Sequence, residues 1–66
     1  MEIMVNAQPR VVEESLTLAQ LIAQLGLAEG PVAAEVNKTL VPKREHTTCA
    51  LKAGDQIELV TLVGGG

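Results

Sequence analysis

KAGDQIELVTLVGGG, residues 52–66, is the stretch on which the reading of the chain turns. Ala53-Gly54-Asp55 has the composition of a turn, and Ile57 and Leu59 then alternate with Gln56, Glu58 and Val60 as in a half-buried strand. Past Leu59 the alternation blurs: either Val60 and Leu62 both point to solvent, or a bulge exchanges the two faces. The strand runs directly into Gly64, Gly65 and Gly66, residues without a Cβ and with the largest backbone entropy to lose on ordering.

Upstream, LTLAQLIAQLGL (residues 16–27) changes period and sets Leu18, Leu21, Ile22 and Leu25 on one helical face. Thr17 as N-cap with Gln20 three residues on forms a capping box, Leu16 is placed to staple onto Leu21, and Gly26 supplies a left-handed stop. Glu13 and Glu14, just before the helix, are positioned in sequence to favour its N-terminal dipole. At the start, MEIMVN alternates Ile3 and Val5 against Glu2, Met4 and Asn6 as a strand. AQP then predicts a turn centred on Pro9, and RVVEE a second strand in an antiparallel hairpin with the first. Pro31 restarts the chain as VAAEVN, a buried strand that ends at an Asn37-Lys38 turn. TLV follows as a short strand stopped by Pro42, and KREHTTCAL reads as a covering loop or a single helical turn.

Sixty-six residues make one domain, which at this size buries only about 60% of its unfolded surface. There is no Phe, Tyr or Trp, so the core must be Leu, Ile, Val and Ala, and the stacking platforms for single-stranded nucleic acid are missing. A formal charge of −3 likewise argues against nucleic acid. No basic-then-apolar leader or membrane-length apolar run appears, and the single Cys49 cannot form an internal disulfide, so a soluble, cytoplasmic protein is expected.

The order strand, strand, helix, strand, short strand, strand predicts an α+β fold, a mixed sheet of four to five strands with one helix across one face. Met4, Val60 and Leu62 are candidates for the uncovered face and for contact with a partner. Cys49 reads as a small core hydrophobe, with no neighbouring base or cation to lower its pKa. His46, the only histidine, lacks a paired ligand or triad and is expected to be a solvated loop residue, forming with Lys43 and Arg44 a small basic cluster.

With the glycine end in view, the chain resembles the ubiquitin-like β-grasp proteins and, among them, the bacterial ThiS-type sulfur carriers of thiamin biosynthesis, relatives of the MoaD-type carriers. The resemblance spans the chain. A first strand ending in Asn6, the TLAQLIAQL helix, and Asn37, Val41-Pro42 and Gly54-Asp55 match the pattern N…VP…GD.I ahead of a terminal diglycine. Gly64 makes three glycines where the family usually has one other residue before two. The division implied is a β-grasp domain over residues 1–63 and a flexible tail over 64–66.

The resemblance implies a carrier rather than an enzyme, with no cofactor, metal or catalytic residue of its own. The Gly66 carboxylate would be adenylated, with ATP and Mg, by a ThiF-like enzyme similar to ubiquitin-activating enzymes. It would then take sulfur from a donor such as a cysteine desulfurase persulfide and, as a thiocarboxylate, serve a ThiG-like thiazole synthase. Lacking Cβ atoms, Gly64, Gly65 and Gly66 suit entry into narrow active sites. A carrier for molybdopterin or another sulfur-requiring pathway, a ubiquitin-like modifier of protein lysines, and an inert interaction module share the scaffold; fold alone does not choose among them.

Overall fold

A computed structural model of the chain describes residues 1–62. Seven elements follow one another: β1 (Glu2–Val5), β2 (Gln8–Val11), α1 (Leu18–Gln24), β3 (Val32–Val36), β4 (Thr39–Val41), a 3-10 turn (Lys43–Glu45) and β5 (Gln56–Thr61). The sheet has the order β2-β1-β5-β3-β4. β5 pairs parallel with β1 and antiparallel with β3, so the last strand among the described residues is the central one. This is the mixed sheet with one helix expected for a β-grasp fold.

The capping box predicted at Thr17 is formed: its Oγ1 accepts from the Gln20 amide at 3.2 Å, and Gln20 Oε1 accepts from the Thr17 amide at 2.9 Å. The two preceding orphan donors are satisfied by the 46–51 segment, Leu18 N–H donating to the Cys49 carbonyl and Ala19 N–H to that of His46. Gly26 ends the helix at φ 74°, a conformation that costs glycine little. Leu18, Leu21 and Ile22 are buried against Ile3, Ala34, Ile57 and Leu59, with Val12, Leu16 and Leu51 completing the core. Fully burying one such side chain is worth about 1.5–3 kcal/mol, which is how an aromatic-free core suffices.

Both hairpins turn through two residues. Asn6-Ala7 (φ 49° and 66°) joins β1 to β2, and Asn37-Lys38 (φ 52° and 69°) joins β3 to β4, the paired positive φ values of a type I′ turn. The first of these corrects the expectation of a turn at Pro9. Pro9 lies inside β2, opposite Met4. The Val12 amide bonds to the Met1 carbonyl, so alternate residues of β2 face β1 and Pro9's missing donor falls on the open edge of the sheet.

Glu13 and Glu14 are also placed differently from expectation. Ser15 at φ 64° redirects the chain, Glu13 accepts from Gln24 near the far end of α1, and Glu14 lies 3.4 Å from the Met1 ammonium. Neither acid is in the first turn of the helix. None of the helices among the described residues is long and apolar enough to cross a membrane.

Candidate functional site

Gly66, expected to react, and Gly64 and Gly65, expected to enter partner active sites with it, lie outside the described residues, as does Val63; the structure shows what leads to them. β5 starts in a network built on two side chains. The Asp55 carboxylate accepts from the Lys52 amide at 2.8 Å and from Asn37 Nδ2 at 3.0 Å, while Asn37 Oδ1 accepts from the Gln56 amide at 3.0 Å. The Asn37 amide donates to the Gln56 carbonyl at 2.7 Å. Three residues of the N…VP…GD.I pattern therefore act together: Gly54, at φ 85°, permits the turn, and Asp55 and Asn37 fix where β5 begins.

Farther along, β1 stops at Val5 and a side chain takes its place. Asn6 Oδ1 accepts from the Leu59 amide at 2.8 Å and Asn6 Nδ2 donates to the Leu59 carbonyl at 3.3 Å, continuing the ladder that the Asn6 amide makes with the Ile57 carbonyl. Sequence reading placed Asn6 only as the end of a strand. Its signal was an asparagine at the first position of a two-residue hairpin turn, where αL geometry lifts the side chain off the strand.

Past Leu59, the faces resolve in favour of the first alternative. Ile57 and Leu59 are buried, whereas Val60 and Leu62 lie on the uncovered face and are 57% and 53% exposed. Among the described residues, Leu62 is tied through its amide, to the Pro31 carbonyl at 3.0 Å. Met4 is on the same face but half-buried, opposite Gln56, which is four residues or about 13 Å of strand from Val60. Glu58 lies between them. Met4 instead lines a shallow cleft with Asn6, Ala7, Gln56 and Glu58. The other strongly exposed large apolar residues, Val11 and Leu40, sit on the two outer strands.

His46 is buried, against the expectation of a solvated residue. It is 7% exposed, and its Nε2 donates to the Val41 carbonyl at 3.0 Å. Because the 3-10 turn folds back on the helix start, the imidazole closes that corner, buried while Lys43 and Arg44 stay exposed. Arg44 is 3.9 Å from Glu45. Cys49 packs partly buried against the core, and burial, reinforced by Asp55 and Glu45, pushes its thiol above the ordinary range. Such a thiol is a poor nucleophile at neutral pH. Among the described residues no group of three or more His, Cys, Asp or Glu side chains could hold a metal ion.

Comparison with known proteins agrees with this fold. The crystal structure of a thiamine biosynthesis protein (ThiS) from Geobacter metallireducens superposes with a TM-score of 0.84 at 30% identity, covering the whole of both chains. Two proteins named thiazole synthase are similar over all 66 residues, that of Paramagnetospirillum magneticum at 35% identity and that of Magnetococcus marinus at 39%. The chain spans only about a fifth of the length of those two relatives, 20% of each. The model of the ThiS family matches residues 3–66, and the chain belongs to that family.

Proposed function

We propose that the protein is a sulfur carrier for formation of the thiamin thiazole, with the Gly66 carboxylate as its reacting group. The observation that supports this most is the family match running through residue 66, on a fold whose central strand leads into the glycines. A carboxylate is a poor acyl donor. Attack of its oxygen on the α-phosphorus of ATP, within an adenylating partner, would release pyrophosphate and leave an acyl-adenylate. A persulfide sulfur would displace AMP, and a thiol would cleave the resulting S–S bond, leaving the thiocarboxylate on Gly66 and a disulfide on the donor. The thiazole synthase would receive that sulfur.

The carrier's own contribution is geometric. The asparagine clamps hold β5 in place, and the glycines beyond it offer a backbone that a narrow active site can accept. Thiol chemistry on Cys49 has no part in this reading, so Cys49→Ser should accept sulfur as well as the parent protein.

Intact mass after incubation with ATP, Mg, a ThiF-like adenylating enzyme and a persulfide donor tests the proposal. The expected result is replacement of one terminal oxygen by sulfur, lost when Gly66 is deleted. An unchanged mass with a partner proven active would overturn it, and conjugates on lysines of larger proteins would move the assignment to a protein modifier.

A further inference from the structure

We infer that β5 is extended on binding by a strand of the thiazole synthase, which pairs with the free backbone edge at Thr61; this rests on the function proposed above. Hydrogen-bond parity locates that edge. The carbonyl of Gln56 and the amide of Leu62 both bond toward the β3 side, to Asn37 and Pro31, so even-numbered residues of β5 face β3. The carbonyl of Ile57 and both backbone groups of Leu59 face the other way, where they meet Asn6. Thr61 is next in that series. Its N–H and C=O point beyond the Asn6 clamp, past the hairpin turn that ends β1, and neither has a partner among the described residues.

Unpaired groups of this kind are a template for an added strand, in which main-chain bonds supply affinity and alternate side chains supply specificity. Thr61, Val60 and Leu62 are all exposed, with the two apolar side chains on the uncovered face beside the edge.

Two observations commit the occupant. Gly66 is five residues beyond Thr61, a reach of at most about 18 Å when fully extended, so an enzyme acting at the terminus works within that distance of this edge. Relatives named thiazole synthase match the whole of this chain and are some five times its length, so in them the remainder of the synthase is covalently tied to such a domain. The outer strands have free edges too, and the same parity turns the amides of Val11 and Leu40 outward. Neither is within a short tether of the glycines in sequence, which makes them internal controls.

Amide exchange of the full chain, followed by NMR with and without saturating recombinant thiazole synthase of the ThiG type, tests the inference. Thr61 N–H should exchange at least about tenfold more slowly in the complex, with Val11 and Leu40 unchanged. Thr61→Pro, which removes the donor but no ladder bond to β3, should weaken binding about tenfold, whereas Thr61→Val should not. Binding that leaves the Thr61 amide unprotected, or that protects Leu40 or Val11 instead, overturns the edge pairing while the carrier function stands. Failure of the parent protein to bind the synthase defeats both. If Thr61→Pro does not fold, the exchange measurement on the parent protein decides alone.

Discussion

The two ends of β5 are held very differently. At Gln56 and Ile57 the strand has β1 on one side, β3 on the other, and the Asn37–Asp55 network closing its start. At Val60 to Leu62 it has β3, then the single bond to Pro31, and an open edge opposite. One strand thus passes from a fully paired root to a half-paired tip within six residues. The function proposed above would use both properties. The root keeps the tip at a fixed place on the domain, and the tip leaves backbone and apolar side chains available just before the glycines.

Substitutions along the strand can break this contrast. Ile57→Ala, at a side chain 1% exposed, should cost about 2–5 kcal/mol, whereas Leu62→Ala should stay within about 0.5 kcal/mol. Urea unfolding of the two variants measures both, and equal losses would mean that the tip is as rooted as the start. Next in size are the clamps. Glycine keeps the αL turn, so Asn6→Gly isolates the two bonds to Leu59 and should cost about 1–3 kcal/mol, with faster exchange of the Leu59 amide. Asn37→Gly should cost a similar amount but free the Gln56 amide, at the other end of the strand.

A smaller effect of opposite sign sharpens the picture. Glu35 and Glu58 are directly opposed on the uncovered face, and like charges so placed are unfavourable. Glu58→Lys should stabilise the domain by about 0.2–1 kcal/mol, read as a rise in unfolding midpoint that fades with salt. Smallest is a contribution far from β5. The Glu13 carboxyl is held below its ordinary value by its own backbone N–H and by the Gln24 amide. A value lowered on folding adds stability above the unfolded-state pKa, and that stability is lost as pH falls through the folded one. Gln24→Leu should therefore flatten the acid limb of the melting-temperature profile slightly, with no change near neutrality.

The sequence was most legible where one short stretch carries its own physics. The capping box at Thr17, the αL stop at Gly26 and the Asn37-Lys38 turn are local, and each formed where its residues lie. Reading failed where a distant partner decides. Pro9 was assigned to a turn because proline favours turns, but an edge strand tolerates it equally when the missing donor faces outward. His46 looked solvated among polar neighbours, and its burial depends on the Val41 carbonyl and on the helix start, both supplied by tertiary folding. The acids before α1 were displaced by the positive φ at Ser15, a conformation that no neighbouring residue announces. Of the candidate site, Val60 and Leu62 were named from the sequence, but their face stayed open because the alternation blurs after Leu59. The Asn6 clamp, spanning 53 residues of sequence, was not legible.

The central position of β5 also sets an order of events in time. β1 with β2, and β3 with β4, are joined by local turns, yet the two hairpins meet only across β5, which is made after both. Local pairs form in microseconds, but closing a sheet around a distant central strand must first meet the loop-closure entropy of residues far apart in sequence. During synthesis, therefore, neither hairpin has its inner edge covered until residues 56–61 are free to enter. A chain truncated after Asp55 should lack slowly exchanging amides in both hairpins, so the barrier to folding lies in the arrival of the same strand that leads into the glycines.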